Sequence, residues 1–320
     1  MDSLTKNRQT PAALLAMIEQ AYGPDQVPAG DDWFSEMGDG WFSVAYRIRL
    51  RDGAEKVLKI SPPADVEVLT YERGAMATEV AAIRLIHEHT TVPVPALDHA
   101  HAGKDFSWFF MDFVDGENLG LIRDSLSDEE RVAYQKARGA ANRELNSIRG
   151  TGFGRLDAPG DPSWRTVFTG MVSDVLRDGE RRSVDLGRDY DAIRTVLAAN
   201  AACLDEVTEP RLCEWDLWDG NVLVRDGAIV GIIDHERAFY GDPLIENGFA
   251  GCVPSGFADP APFMEGYGHP PLTEPELRRR RLYNLHFLLI LVIETEYRRF
   301  PDPGQYNWAR AQLADLLPQF

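Results

Sequence analysis

Three oxygen-bearing side chains in the C-terminal half have types and spacing suited to phosphoryl transfer. Asp216 and Asn221 lie five residues apart just before a predicted strand, and Asp234 ends the next predicted strand. Because a two-stranded hairpin places its open ends side by side, Asn221 and Asp234 are predicted at one mouth, with Asp216 in the loop beside them. A carboxylate and an amide oxygen suit Mg²⁺. Asp216 is then left to accept a proton from an attacking hydroxyl, which is the division of labour in kinase-type chemistry.

The order of these motifs resembles that of the aminoglycoside phosphotransferase and choline kinase group, small-molecule kinases related to the protein kinases. In that family an Asp precedes an Asn by five residues, an Ile-Asp pair follows, and a Gly-Asp-Pro comes next. Here the matching elements are Asp216, Asn221, Ile233-Asp234 and Gly241-Asp242-Pro243. The resemblance implies that Asp216 is the catalytic base and that Asn221 and Asp234 hold Mg²⁺.

Two segments of the N-terminal half carry the same resemblance. Residues 38–43, Gly-Asp-Gly-Trp-Phe-Ser, resemble the glycine-containing loop that covers nucleotide phosphates, which implies phosphate contacts at Gly38, Gly40 and Ser43. Residues 111–114, Met-Asp-Phe-Val, resemble the hinge that hydrogen-bonds adenine through its backbone, here at Asp112 and Val114. Since backbone groups do this work, the hinge does not distinguish ATP from GTP.

Lys59 is a cation in the otherwise apolar strand segment Val-Leu-Lys-Ile. Without the resemblance, the expected role is a side chain that reaches solvent along its aliphatic stem. By resemblance, Lys59 contacts the α and β phosphates and pairs with Glu79, which lies twenty residues later in a helical segment. Glu72 is the alternative partner, although the interval to the following proline favours Glu79.

The chain departs from the family pattern at two positions. Glu214 stands where the family usually has His, two residues before the catalytic Asp, and Asn146 stands where a Leu-His pair is common. A second carboxylate near Asp216 would raise the pKa of one member of the pair. Alternatively, Glu214 would anchor a cationic group of the substrate.

Hydrophobic periodicity predicts the elements that must position these residues. A leading helix is predicted over residues 11–22, a hairpin over 44–50 and 56–60, a helix over 72–89, and strands over 96–100 and 106–114. Beyond Gly116 the pattern is helical, at residues 128–148, 164–177, 190–207, 274–300 and 306–317. A second hairpin, residues 221–224 and 228–233, interrupts the helices around an Arg-Asp-Gly turn.

These elements predict an α+β fold with two lobes, and the resemblance makes it protein-kinase-like. Residues 1–112 form the N-lobe, a small antiparallel sheet with one main helix that carries the phosphate loop and the lysine strand. Residues 113–320 form a larger, mostly helical C-lobe. It contains the catalytic hairpin, the metal ligands and the acceptor site.

Composition and net charge exclude some classes of binding partner. The 320 residues are 44% hydrophobic and 26% charged, as in ordinary globular proteins, and 33 basic against 51 acidic residues leave a net charge of −18. An acidic surface repels phosphate backbones and anionic lipids. We therefore expect no nucleic-acid or membrane partner, and nothing in the sequence implies a protein partner.

The sequence also indicates a cytoplasmic protein. The three cysteines, Cys203, Cys213 and Cys252, show neither a disulfide framework nor metal-binding spacing. The N-terminus has no apolar signal segment, and the longest apolar run, residues 287–293, is too short to span a membrane.

The sequence thus predicts an ATP-dependent phosphotransferase with Mg²⁺ as cofactor. The acceptor is a hydroxyl of a small molecule, such as an aminoglycoside or other antibiotic, an amino sugar or an amino alcohol. The alternative is a non-catalytic, nucleotide-binding regulatory protein on the same fold. A binding protein for cationic metabolites is a third hypothesis.

Several residues near the predicted site are assigned structural roles instead. Asp242 is predicted to cap the next helix. Trp215 and Trp218 are predicted to lie in the core. Glu236 and Asp219 are predicted to be structural or solvated carboxylates.

Overall fold

The computed structural model describes residues 4–38, 42–158, 160–249 and 259–320. Two compact units make up the chain: a smaller unit of Met1–Glu67 with Val94–Asp115, and a larger unit of Val68–Pro93 with Gly116–Phe320. Along the chain, the last passage from the smaller to the larger unit follows residue 115, and the sequence predicted this boundary after residue 112. Segment 68–93, which the sequence placed in the N-lobe, groups with the larger unit, where Ile232 N donates to Pro93 O at 2.8 Å.

The smaller unit is one helix and a five-stranded antiparallel sheet. Helix α1 spans Pro11–Tyr22, as predicted, because Thr10 caps its start through a hydrogen bond from Ala13 N and Gly23 ends it at φ 85°. The sheet order is β1-β2-β3-β5-β4. Its strands are β1 (Phe34–Met37), β2 (Val44–Arg49), β3 (Glu55–Ile60), β4 (Leu97–His101) and β5 (Trp108–Asp112). Residues Leu14 and Ile18 of α1 pack with Ile48, Leu58 and Phe110 in its core.

Helices form most of the larger unit. They are α2 (Ala75–His89), α3 (Leu119–Ile122), α4 (Asp128–Leu145), α5 (Trp164–Arg181), α6 (Tyr190–Asn200), α7 (Ala261–Tyr267), α8 (Glu274–Arg298) and α9 (Gly304–Leu316). The long helix α8 is buried along most of its length, and its residues Leu289 and Ile293 share a core cluster with Phe168 of α5 and Leu313 of α9. None of the described helices is both long enough and apolar enough to cross a membrane.

Two small sheets of the larger unit hold the chain where chemistry was predicted. One has the order β10-β9-β6, with β6 (Glu117–Asn118), β9 (Val222–Arg225) and β10 (Ala228–Ile232). The other has the order β7-β11-β8, with β7 (Gly154–Arg155), β8 (Arg211–Cys213) and β11 (Phe239–Gly241). The predicted second hairpin is confirmed as β9–β10. Its turn residues Asp226 and Gly227 both have positive φ, as tight hairpin turns require.

Helices α4 and α7 pack backbone against backbone at two glycines. A Cβ on Gly139 would lie 2.1 Å from Phe263 O, and a Cβ on Gly266 would lie 2.0 Å from Lys136 O. Neither carbonyl can move without displacing its helix. The close approach of α4, the helix beside the predicted catalytic loop, therefore depends on glycine at both positions.

We predict that Gly139→Ala lowers the free energy of unfolding by about 2 kcal/mol. Alanine favours a helix interior by about 1 kcal/mol over glycine, but the steric overlap costs about 1–3 kcal/mol or more. Gly170→Ala in α5 is the matched control, because no atom lies within 4 Å of its Cβ position. Urea unfolding should show this control to be neutral or stabilised, and equal curves for both variants would contradict the packing argument.

His286 of α8 is a buried titratable side chain. Its ring stacks on Trp215 at 5.2 Å between centroids and meets Phe168 edge-on. Neither ring nitrogen has a hydrogen-bond partner among the described residues. Burial lowers the pKa of His286 to about 3, so the folded protein keeps this ring neutral.

We predict that His286→Phe flattens the loss of stability on acidification. Only the unfolded chain protonates this histidine between pH 6.5 and about 3, so the wild type loses stability as the pH falls. The loss between pH 7 and pH 5 is about 2 kcal/mol. Thermal unfolding at both pH values measures it. His89→Phe, at an exposed position on α2, should keep the wild-type pH dependence.

Candidate active site

The loop between β8 and β9 carries two of the three predicted chemical residues. Asn221 Nδ2 donates to Asp216 O at 2.9 Å, so the amide ties the loop to itself. Ile233 N donates to Asn221 O at 3.0 Å, which joins this loop to the residue that precedes Asp234. Asp216, Asn221 and the Asp234 turn are therefore held together by direct hydrogen bonds within the larger unit.

Asp234 lies in a cluster of carboxylates. One carboxylate oxygen from each of Glu79, Asp234 and Glu236 lies within 4.8 Å of the others. Asp234 has φ 69°, a left-handed conformation in which a non-glycine residue is strained. Hard oxygen donors at this spacing fit a divalent cation such as Mg²⁺. The sequence did not predict that Glu79 and Glu236 converge here, because they lie on different elements.

Asp216 is held in a mostly buried but accessible position. Its side chain is 20% exposed, and Arg237 Nε lies 3.7 Å from Asp216 Oδ2. Burial raises the pKa of the Asp216 carboxyl to about 6, Arg237 opposes the rise, and the nearby Asp234 and Glu214 add to it. Such a carboxyl is ionised at neutral pH yet remains basic enough to accept a proton.

A carboxylate that the sequence analysis missed clamps the start of this loop. Glu246 Oε1 accepts from Glu214 N at 2.7 Å, and Glu246 Oε2 accepts from Trp215 N at 2.8 Å. Asn247 Nδ2 donates to Trp215 O at 2.8 Å. Trp215 has φ 62°, so these bonds hold a left-handed residue immediately before Asp216. Glu246 follows the predicted Gly-Asp-Pro by three residues, which is the signal that could have identified it.

Glu214 does not anchor a substrate cation. Its side chain is 1% exposed, and its Oε1 lies 2.8 Å from Nδ1 of the equally buried His235. The proposed substrate-anchoring role of Glu214 is therefore wrong, because solvent does not reach the carboxylate. Asn146, the second departure from the family pattern, donates to Leu212 O at 2.7 Å and accepts from Tyr267 Oη at 2.9 Å.

The structural assignments hold for two of the neighbouring acids. Asp242 caps its turn by accepting from Leu244 N at 3.1 Å, and it also accepts from Arg279 and Tyr283. Asp219 is buried and accepts from Arg138 and Gln135. Both carboxylates are used within the fold.

The two tryptophans of the loop differ. Trp215 is 4% exposed, as predicted for a core residue, whereas Trp218 is 49% exposed, so its assignment to the core was wrong. The Trp218 ring lies over Gly220, where a Cβ would come within 2.4 Å of the ring. The glycine therefore lets the indole lie along the loop instead of entering the core.

Glu72, the alternative partner for Lys59, is committed elsewhere. Its buried carboxylate accepts from Arg298 at the end of α8 and from Leu69 N. These contacts fix the turn before α2 in the larger unit. The pairing of Lys59 with Glu79 stays a prediction.

The smaller unit carries the residues predicted to bind nucleotide. Lys59 is 8% exposed on β3, opposite Ala45 of β2 and Phe109 of β5. Ser43 is also buried, and Lys6 Nζ donates to Ser43 O at 3.0 Å. The buried lysine thus lies in the sheet that the sequence predicted for it.

Of the other predicted nucleotide contacts, the structure describes Gly38, Asp112 and Val114. Gly38 directly follows β1, and Gly40 lies outside the described residues. Asp112 ends β5, its side chain accepts from Lys56 Nζ at 2.7 Å, and Val114 follows two residues later. Their contacts with a nucleotide remain predictions.

Comparison with known proteins shows the family. The phosphotransferase enzyme family, APH, matches residues 33–283. The chain matches no curated protein.

Solved structures share the fold over almost the whole chain. The aminoglycoside phosphotransferase APH(4)-Ia, as the thermostable mutant N202A with AMP-PNP and hygromycin B, is 16% identical, with 96% of this chain and 98% of that chain covered and a TM-score of 0.68. A protein of Haemophilus somnus 129PT assigned as a fructosamine-3-kinase is also 16% identical, with 95% and 96% covered and a TM-score of 0.68. The gentamicin complex of APH(2")-IIa is 16% identical, with 96% and 97% covered and a TM-score of 0.66.

The family match spans well over half of the chain, and it includes the clamped loop, the Asn221 tether and the Asp234 turn. The solved structures give the fold as that of the protein-kinase-like phosphotransferases. The chain belongs to the phosphotransferase enzyme family and is a small-molecule kinase.

Proposed function

We propose that the protein transfers the γ-phosphoryl group of ATP to a hydroxyl of a small molecule, with Asp216 as the catalytic base. The observation that carries this proposal is the tether among Asp216, Asn221 and Ile233, which keeps a basic carboxylate beside the Asp234 turn. Phosphoryl transfer needs little covalent chemistry from the protein, so positioning and electrostatics supply most of the rate.

Asp216 receives the proton of the attacking hydroxyl. Its position at 20% exposure leaves the carboxylate reachable, while Arg237 keeps a cation 3.7 Å away. That cation favours the ionised form against the effect of burial. The hydroxyl oxygen becomes a better nucleophile as the proton moves to Asp216.

Asn221 and Asp234 are the proposed Mg²⁺ ligands. Asn221 donates its Nδ2 hydrogen to Asp216 O, which assigns Oδ1 as its ligand atom. The carboxylate of Glu79 or Glu236 lies close enough to Asp234 to add an oxygen ligand or to orient a bound water. Bound Mg²⁺ would neutralise charge on the phosphate oxygens.

ATP is the proposed phosphoryl donor. Support comes from the related fold of APH(4)-Ia, whose structure contains the ATP analogue AMP-PNP. In this chain, buried Lys59 is proposed to contact the phosphates, Gly38, Gly40 and Ser43 to cover them, and the backbone of Asp112 and Val114 to bind the adenine.

The acceptor is proposed to be a hydroxyl compound that carries amines. Hygromycin B and gentamicin are the compounds bound in two structures of the same fold. A coupled ADP-release screen over aminoglycosides, fructosamines, amino sugars and choline-like alcohols, with ATP or GTP, tests the donor and the acceptor together.

We predict that Asp216→Asn lowers kcat by about 10³-fold or more and leaves the affinity for Mg·ATP within about threefold. The amide keeps the shape of the side chain but cannot accept the proton. Asp226→Asn, at the exposed turn of the β9–β10 hairpin, is the matched control and should retain full activity. ADP release measures kcat, and calorimetry measures nucleotide binding. Wild-type kcat in Asp216→Asn would remove this residue from the mechanism.

The acid limb of kcat/KM is predicted to follow the ionisation of Asp216. Activity should fall below pH 6, because the pKa of about 6 sets where the base becomes protonated. Arg237→Met should move this limb to higher pH, because the lost cation favoured the ionised carboxylate. Arg225→Met, at an exposed position on β9, should leave the limb in place. A limb that moved to lower pH in Arg237→Met would contradict the assignment.

A further inference from the structure

A buried acid–base pair joins the catalytic loop to the turn that carries Asp234. Glu214 Oε1 and His235 Nδ1 lie 2.8 Å apart, and both side chains are 1% exposed. Glu214 lies two residues before Asp216, and His235 directly follows Asp234. The pair therefore spans from the proposed base to a proposed metal ligand through two buried side chains.

Both ends of this pair are anchored. Glu214 N donates to the buried carboxylate of Glu246 at 2.7 Å, so the backbone at Glu214 is fixed independently of its side chain. His235 Nε2 lies 3.1 Å from Ile232 O, so the ring is held on its far side by the end of β10. Because both ring nitrogens have partners, the His235 ring links the position of the loop that carries Glu214 to that of the end of β10.

Glu214 depends on this one contact. Its Oε2 is buried and has no hydrogen-bond partner among the described residues. Removing the single side-chain partner of a buried carboxylate is strongly destabilising, because no interaction then offsets the desolvation of the charge. A pair of this kind is poorly explained as general core packing, which apolar side chains of similar size achieve at lower cost.

The pair acts beside a second connection between the same segments. Ile233 N donates to Asn221 O at 3.0 Å, which ties the two backbones together directly before Asp234. Asp234 has φ 69°, a left-handed conformation directly before His235. One backbone bond, at Ile233, and one side-chain bond, at His235, therefore flank Asp234 on its two sides.

We propose that the Glu214–His235 pair is a positioning element that aims Asp234 and thereby sets the gain in nucleotide affinity that Mg²⁺ provides. This inference rests on the proposed function, since it takes Asp234 as a ligand of the nucleotide-bound metal. Glu214 and His235 are positioning residues and contact no reacting atom in this scheme.

The test measures the Kd of ATP by calorimetry, in Mg²⁺ and in EDTA, for the full-length wild type and for variants. The Mg²⁺ gain is the ratio of the Kd in EDTA to the Kd in Mg²⁺. Glu214→Gln and His235→Gln should each reduce this gain by fivefold or more. Both should also lower kcat by tenfold or more, with the KM for the acceptor within twofold. The exchanged double variant, Glu214→His with His235→Glu, should recover the gain to within threefold of wild type.

Glu72→Gln is the matched control. Glu72 forms another buried pair in the same unit, with Arg298, and this pair lies at the end of α8. A purely structural loss should lower the melting temperature of Glu72→Gln and leave the Mg²⁺ gain of the folded fraction unchanged. Variants of the Glu214–His235 pair should reduce the Mg²⁺ gain even where their melting temperature equals that of Glu72→Gln.

Wild-type Mg²⁺ gain and kcat in both single variants would overturn the inference, as would a loss that only follows the melting temperature. If Glu214→Gln does not fold, Glu214→Asp decides, because it keeps the charge and shortens the reach to His235. An unchanged gain in Glu214→Asp overturns the proposal. Absence of any ATP binding by the wild type in Mg²⁺ would instead remove the proposed function.

Discussion

The grip of Glu246 on two consecutive backbone N–H groups is the interaction on which the site depends. The carboxylate holds Glu214 N and Trp215 N at 2.7 and 2.8 Å, and Asn247 holds Trp215 O. A non-glycine residue in the left-handed region costs about 1–3 kcal/mol, so Trp215 needs partners that over-determine its conformation. Burial raises the pKa of Glu246 to about 7, which shows how far desolvation competes with ionisation there. The direction in which the chain continues from Trp215 to Asp216 therefore depends on these hydrogen bonds.

Charge is the second constraint, and it favours a cation. Acidic side chains of Glu79, Asp234 and Glu236 approach one another, and Asp216 lies near enough for Asp234 to raise its pKa. Arg237 offsets part of this repulsion at Asp216. A divalent ion among such oxygens would relieve the remainder, so the same crowding that costs stability in the free protein supports ligand binding. The proposed binding of Mg²⁺ would thus relieve a repulsion between carboxylates that is already present in the folded chain.

Local patterns predicted the β9–β10 hairpin and the bounds of helix α1, because strand pairing and helix capping depend on near neighbours. Helix α1 has its predicted bounds, and the β9–β10 turn follows from Asp226 and Gly227. What the sequence did not reveal depends on distant contacts. Glu246 lies more than thirty residues from the backbone groups that it binds. Periodicity carries no information on such contacts.

The departure from the family pattern at Glu214 can be explained only together with its partner, His235. A carboxylate placed where related enzymes usually have His suggests altered substrate binding or an altered pKa when it is considered alone. The structure pairs it with His235, which directly follows the proposed metal ligand Asp234, so acid and base are both present and both buried. If a Glu and a His exchange positions, the two side chains can still form a hydrogen bond, provided that the distance between their backbones suits both of them. The chain therefore departs from the motif at one position while it keeps a polar link between the loop and the turn. A motif scored residue by residue would count this as a loss, whereas the geometry shows a connection that spans two motifs.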